Sequence, residues 1–96
     1  MKQPRVNPPR TPLTFTQRDY DRADMAGLMV RLDGRRAVLV NEEGSHHDYR
    51  VVGELRSSAL AVVVDVVRDE AWWRHKHLAM RMEPIRWPAA AVWVEM

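Results

Sequence analysis

The chain of 96 residues contains no cysteine. Disulfide bonds and thiolate metal sites are therefore excluded, and nothing in the composition favours an oxidising compartment. Apolar runs are also short, since none approaches the roughly 18–20 residues that a transmembrane helix requires. The N-terminal residues carry proline where a secretory signal has its apolar centre. We therefore expect a cytoplasmic protein that does not enter a membrane.

Signatures of catalysis are missing as well. The sequence has only four glycines, and it contains no glycine-rich phosphate loop, no nucleophile elbow and no zinc-protease histidine motif. A chain of this length builds one modest core, which leaves little room for a deep substrate pocket. We predict a protein that is not an enzyme, with no cofactor and no small-molecule substrate.

Lysine is scarce, because thirteen of the fifteen basic residues are arginine. Thirteen acidic residues reduce the net charge to +2, which is far below the charge of a protein that packages nucleic acid. A composition rich in arginine, alanine, valine and proline is typical of GC-rich coding, so we expect a bacterial, phage or plasmid source. Arginine also forms bidentate hydrogen bonds with carboxylate and phosphate and stacks on aromatic rings.

The first sixteen residues differ from the rest. They hold four of the six prolines and three basic residues, and the first acidic residue is Asp19. Proline fixes φ and lacks a backbone donor, so this segment cannot join a helix or the interior of a sheet. We predict an extended arm at residues 1–16, in which Arg5 and Arg10 can contact a partner, and a single globular domain at residues 17–96.

The start of the globular part combines a helical pattern with a hairpin pattern. Residues 16–25 are predicted to form a short helix, which Thr16 caps and Gly27 ends. Two apolar segments follow, at residues 28–32 and 36–40. An Asp-Gly pair lies between them and predicts a tight hairpin, because both residues of such a turn must tolerate positive φ.

The middle of the chain continues the β pattern, with a third predicted strand at residues 49–55. Residues 59–67 are apolar at nearly every position, which predicts a central strand that is buried on both faces. Asp65 interrupts this strand. Because a carboxylate in such a position needs a partner, we predict an ion pair with Arg50 or Arg81.

Residues 69–83 fit two structures. As a strand they would form a long hairpin with residues 59–67, and this interpretation is preferred. As a helix they would begin with Asp69 and Glu70, whose charges complement the helix dipole. Residues 91–94 form the last predicted strand.

These patterns predict a mainly antiparallel β domain of five or six short strands, with one short helix. Its form is a small, partly open barrel of the SH3-like or OB-like kind. The alternative is an α+β fold in which residues 69–82 form a helix on an antiparallel sheet.

Aromatic and basic residues come together at residues 72–77. Two tryptophans are followed there by four residues that are basic or titratable. Aromatic side chains beside arginine are typical of the anchors of protein interfaces, and aromatic rings beside positive charge also stack nucleic-acid bases. Simple packing is a third interpretation, because one tryptophan of an adjacent pair faces the core in a strand or a helix alike.

We expect a non-catalytic protein-binding or self-associating module, of the kind that phages and plasmids use as accessory or regulatory proteins. The alternative is a small barrel that binds nucleic acid. The residues predicted to contact a partner are Trp72, Trp73, Arg74, Lys76, Arg5 and Arg10. For nucleic acid, further contacts are predicted at Arg35 and Arg36.

The four histidines occur as two close pairs. In a strand, His75 and His77 would point to the same side, as the ligands of a metal site do. A third ligand would then come from His46, His47 or Asp48. No longer motif supports this site and surface histidines explain the pattern better, so no metal is predicted.

Overall fold

The computed structural model describes residues 19–96, in which six strands form one antiparallel sheet. The strands are β1 (Tyr20–Arg22), β2 (Arg36–Asn41), β3 (Gly44–Ser57), β4 (Val62–Arg68), β5 (Ile85–Pro88) and β6 (Val92–Glu95). The helices are α1 (Ala23–Ala26), which is a single turn, and α2 (Asp69–Leu78), and a 3-10 turn covers Ala89–Ala91. The strand order is β1-β6-β2-β3-β4-β5, and this sheet of the described residues does not close. The predicted mainly β, partly open small barrel is confirmed.

The core lies on one face of this sheet, where the side chains of alternate strand residues meet α1. Ala37 stands opposite Val94 across β2 and β6, and Val51 stands opposite Val66 across β3 and β4. Valine is frequent because branched side chains suit a pleated, half-buried surface. The buried cluster consists of Ala23, Ala26, Leu32, Ala37, Leu39, Val51, Val64, Val66, Ala89, Val92 and Val94.

Strand β3 pairs with two neighbouring strands, and its register shifts once against each of them. Its first half pairs with β2 and its second half with β4. The register against β2 shifts beside Asp48, at φ 68°, and the register against β4 shifts beside Gly53, at φ 83°. Because bulges bend a strand and increase its twist, β3 curves the sheet around the core.

The predicted hairpin at residues 28–32 and 36–40 is wrong. The chain turns at residues 27–30 and does not form a strand there, and β2 pairs with β3 and β6 instead. The Asp-Gly pair does form a turn, with Gly34 at φ 85°. This turn leads from α1 into β2 and does not connect two paired strands.

Side chains hold this turn against β3. The Glu54 carboxylate accepts hydrogen bonds from the backbone N–H groups of Leu32 (2.8 Å) and Asp33 (3.1 Å). In return, the Asp33 carboxylate accepts one from the backbone N–H of Gly53 at 2.8 Å. Backbone hydrogen bonds to and from Val51 complete the contact. The turn residues therefore form hydrogen bonds with β3, where a hairpin would have paired two adjacent strands.

The preferred strand at residues 69–83 is also wrong, because α2 occupies most of it and the predicted hairpin with residues 59–67 does not form. At this point the alternative prediction of a helix is correct. Asp69 and Glu70 lie in the first turn of α2, where their charges complement the helix dipole. Ala79 ends the helix in the left-handed conformation, at φ 54°.

Other local predictions are confirmed in position but not in detail. β4 is an internal strand with buried valines on both faces, but it begins at Val62. Asp65 does bind an arginine, but the partner is Arg56, at 2.6 Å, and neither predicted candidate. The last strand is β6, as expected. Instead of a helix throughout residues 16–25, the described part of that segment contains β1 and the start of α1.

The predicted arm at residues 1–16, which includes Arg5 and Arg10, lies outside the described residues. Within the described part of the chain, no helix has both the length and the apolar character that crossing a membrane requires.

Two leucines at opposite extremes of burial test this account of the core. Leu39 is 1% exposed and Leu60 is 97% exposed. We expect Leu39→Ala to lower the free energy of unfolding by about 2–5 kcal/mol, because it leaves a cavity in the core. Leu60→Ala should change it by less than about 0.5 kcal/mol. Urea unfolding followed by circular dichroism measures both, and equal effects would contradict this position of the core.

Candidate functional site

Arg50 connects α2 to the sheet. Its Nε donates a hydrogen bond to the Asp69 carboxylate at 2.5 Å, and its Nη1 donates one to the Gly34 carbonyl at 2.9 Å. Its guanidinium carbon lies 4.6 Å from the ring centroid of Trp72 and 5.1 Å from that of Trp73. One side chain therefore joins β3, the turn before β2, the first turn of α2 and both tryptophans.

This arginine is important because α2 itself contains no fully buried residue. A ten-residue helix with so little apolar burial is marginal in isolation. The side chain of Arg50 is 16% exposed, so its contacts are partly shielded from water. Hydrogen bonds to charged groups in such places contribute roughly 1.5–3 kcal/mol each, and a cation–π contact adds about 0.5–2 kcal/mol.

The two tryptophans occupy different depths. The Trp72 ring packs on the turn before β2, where a Cβ on Gly34 would lie 3.5 Å from it, and the ammonium of Lys76 lies 4.8 Å from its centroid. Trp73 is the outer ring and is 40% exposed. It stacks on the imidazole of His77, with 5.2 Å between the centroids and 1° between the planes. Both rings therefore make contacts with charged or aromatic groups of the same molecule.

The structure brings some of the predicted partner residues together and separates others. Both tryptophans and Lys76 form one cluster around Arg50, whereas Arg74 makes an exposed ion pair with Glu70 at 3.0 Å. No local pattern points to Arg50, because its contacts in α2 lie about twenty residues along the chain. Only the pairing of β3 with β4 brings it beneath the helix.

The two arginines predicted to contact nucleic acid also differ. Arg35 is used within the molecule, since its Nε donates to the carbonyl of Arg31 at 2.5 Å and its Nη1 to that of Glu95 at 3.1 Å. Arg36 is exposed, stands opposite Arg50 in the register of β2 and β3, and makes no ion pair within residues 19–96.

The histidines lie in different settings from those expected. His75 and His77 are on a helix, where residues two apart do not face each other. His75 Nδ1 lies 2.9 Å from the carbonyl oxygen of Met80. His46 and His47 belong to β3. No cluster of three or more histidine, aspartate or glutamate side chains suited to a metal occurs in the described part of the chain.

A second surface, which no sequence motif marks, surrounds α1. We name it the methionine surface, and it consists of Met25, Leu28, Met29 and Met96. These side chains are 57%, 75%, 84% and 47% exposed in that order. The three methionines line a groove of about 390 Å³, whose other walls include Asp21, Arg22 and Trp93. Most of its lining is therefore apolar, although it opens to the surface.

The charged residues at the edge of this groove are of both signs. Arg22 forms an ion pair with Asp24 at 2.8 Å. Asp21 is exposed and makes no ion pair with another described residue.

Tyr20 precedes the groove residue Asp21 in strand β1. Burial, and after it the Glu95 carboxylate opposite in β6, raise the pKa of its hydroxyl above the usual value. The tyrosine is therefore neutral at physiological pH.

The chain matches no protein-family model, no curated protein and no solved structure. The possible functions are therefore compared on two parts of the structure. One is the Arg50 cluster, which consists of Arg50, Trp72, Trp73 and Lys76, and the other is the methionine surface.

Arg50 and Arg74 each bind a carboxylate of α2, and comparing their alanine variants tests whether Arg50 holds the helix. We expect Arg50→Ala to lower the free energy of unfolding by about 1.5–3 kcal/mol and to speed amide hydrogen exchange throughout α2, because it leaves Asp69 and the Gly34 carbonyl without their partner. Arg74→Ala removes an exposed pair and should cost less than about 0.5 kcal/mol.

Chemical denaturation measures the stability, and hydrogen exchange followed by mass spectrometry localises the change. If exchange in α2 were the same in Arg50→Ala and Arg74→Ala, Arg50 would not be the residue that holds the helix.

Proposed function

We propose that the protein is a non-catalytic module that acts by binding protein, either a partner or a second copy of itself. The observation that carries this proposal is the methionine surface. Soluble monomers rarely leave several large apolar side chains exposed side by side, and patches of this kind that border charged residues are typical of interaction sites.

The chemistry of the methionine surface suits a protein ligand. Methionine is unbranched and polarisable, so it adapts to a partner's side chains and is frequent at binding surfaces. The groove beside it has an aromatic wall, Trp93, and aromatic residues and methionine are enriched in interfaces. β1, at the edge of the described sheet, adjoins the groove through Asp21 and Arg22.

The tryptophan cluster is less suited to be the main contact. The rings of Trp72 and Trp73 already contact Arg50, Lys76 and His77. A partner that stacked on either ring would have to replace at least one of these contacts. We therefore assign the tryptophans mainly to holding α2, and Trp73 to the border of a contact surface.

Peptide selection tests the protein-binding function without a known partner. From a displayed random-peptide library, we expect the unaltered protein to enrich peptides that contain large apolar residues. The double variant Leu28→Ser/Met29→Ser should bind those peptides at least about tenfold more weakly, because it removes the most exposed part of the apolar surface. Fluorescence anisotropy with the selected peptides measures the affinities.

Leu60→Ser is the control, since it changes a still more exposed leucine, which lies in the β3–β4 connection and does not line the groove. Its affinities should equal those of the unaltered protein. An absence of enriched peptides, or equal binding by the Leu28→Ser/Met29→Ser protein, would count against this function.

Nucleic-acid binding is the second candidate, and one observation favours it. Arg36 stands opposite Arg50 across the β2–β3 pair, and Arg50 lies on the ring of Trp72 together with Lys76. Two positive charges therefore lie on a partly exposed aromatic ring, and Arg36 adds a third in the neighbouring strand. Aromatic rings beside positive charge are the combination that binds single strands.

Gel retardation at different salt concentrations tests this second function. If phosphate contacts dominate, binding of a single-stranded oligonucleotide should weaken steeply with salt, and Arg36→Ala/Lys76→Ala should reduce both the affinity and that salt dependence. The control, Arg31→Ala/Arg81→Ala, removes the same charge elsewhere and should have a smaller effect. No retardation of DNA or RNA at low salt would exclude this function.

A further inference from the structure

We infer that a hollow between α2, β4 and β5 binds a small organic acid, which is a molecule with an apolar body and a single carboxylate. The hollow has a volume of about 420 Å³, which lies within the size range of small-molecule sites. It shares no described lining residue with the groove of the methionine surface. The inference therefore goes beyond the proposed function and does not depend on it.

The hollow lies at the border of the core, where three parts of the chain meet. Val66 of β4 belongs to the core cluster, and Tyr49 of β3 packs against that cluster. Ala71 of α2 and Ile85 of β5 provide further apolar walls. A chain this short has little room for a deep pocket inside its core, but the helix and the segment after it add walls outside the core. A mainly apolar lining with a few polar groups is typical of small-molecule sites.

Two arginines line the hollow, and neither is used by an ion pair. Arg68 is exposed at the end of β4, and its guanidinium carbon lies 5.7 Å from the ring centroid of Tyr49. Arg81 is exposed in the segment between α2 and β5. Neither arginine makes an ion pair with another described residue. Residues 1–18 contain no acidic side chain that could pair with them. Both guanidinium groups can therefore bind an anion in the hollow.

The charges of the described lining favour a ligand with one negative charge. Two bases, Arg68 and Arg81, and one acid, Glu83, leave a net charge of +1. A carboxylate balances this charge, whereas a cation would face two arginines, and a dianion would add excess negative charge beside Glu83. Arginine also binds a carboxylate through two parallel hydrogen bonds. A carboxylate on an apolar body therefore matches both the charged and the apolar parts of the lining.

Titration of the full chain with naphthalene-2-carboxylate, followed by nuclear magnetic resonance, tests this site. The amide signals of Tyr49, Ala71 and Ile85 should shift. We expect a dissociation constant of about 1 mM or below, which is the affinity that a ligand of about thirteen non-hydrogen atoms commonly reaches. Naphthalene-2-carboxamide has nearly the same shape but no charge. It should bind at least about fivefold more weakly, because it forms no ion pair with the arginines.

Three substitutions test the charges one at a time. Arg81→Met keeps an apolar side chain of similar length and should weaken the binding of naphthalene-2-carboxylate at least about fivefold. Glu83→Gln removes a like charge and should strengthen that binding at least about twofold. Arg86→Met is the matched control, because it removes a positive charge from β5 that does not line the hollow. It should bind as the unaltered protein does.

The spectrum of each variant shows whether it is folded, and a gain of affinity in Glu83→Gln is a result that misfolding does not produce. Three outcomes overturn the inference: no shift of the three amide signals, equal binding of the carboxamide, or the same loss in Arg86→Met as in Arg81→Met. Shifts confined to Met25 and Met29 would place the ligand on the methionine surface and overturn it as well. Peptide selection on the methionine surface has an independent outcome, because the hollow and the groove share no described residue.

Discussion

The guanidinium group of Arg50 is the contact on which the outer side of this protein depends. It binds a carboxylate of α2 and a carbonyl of the turn before β2, and it lies against both tryptophan rings. Because α2 has no fully buried residue, apolar packing cannot replace these contacts. The same turn is held to β3 by Glu54 and Asp33. Arg50 and these carboxylates thus join the helix, the turn and the sheet.

The inner side of the sheet is stabilised by apolar packing and not by charged contacts. Valine and alanine fill the core, and α1 adds its two alanines. Leu28 and Met29 lie in the turn that follows α1 and remain outside, whereas Leu32 beyond them is part of the core. Much of the exposed apolar surface therefore lies in the turn after α1, beside strand β1 at the edge of the described sheet.

Local patterns were reliable where burial alone decides the structure. The valine run of β4 and the apolar segments of β2 and β6 became strands, because an apolar strand is stable only inside a sheet. Patterns failed where distant polar partners decide. The Asp-Gly pair at residues 33 and 34 predicts a hairpin, yet the Glu54 carboxylate binds that turn to β3. Residues 69–78 have no strong periodicity, and the arginine that binds them to the sheet, Arg50, lies about twenty residues earlier in the chain.

The sequence by itself determined the class of the fold, the internal position of β4 and the closeness of two tryptophans to positive charge. Only the tertiary structure decided which arginine lies against both rings, that Trp73 is the outer one, and that exposed apolar side chains gather around α1. Hydrophobic periodicity relates residues that are a few positions apart, so the sequence alone shows it. An ion pair or a groove joins residues that only the folded sheet brings together, so their chemistry has no local pattern.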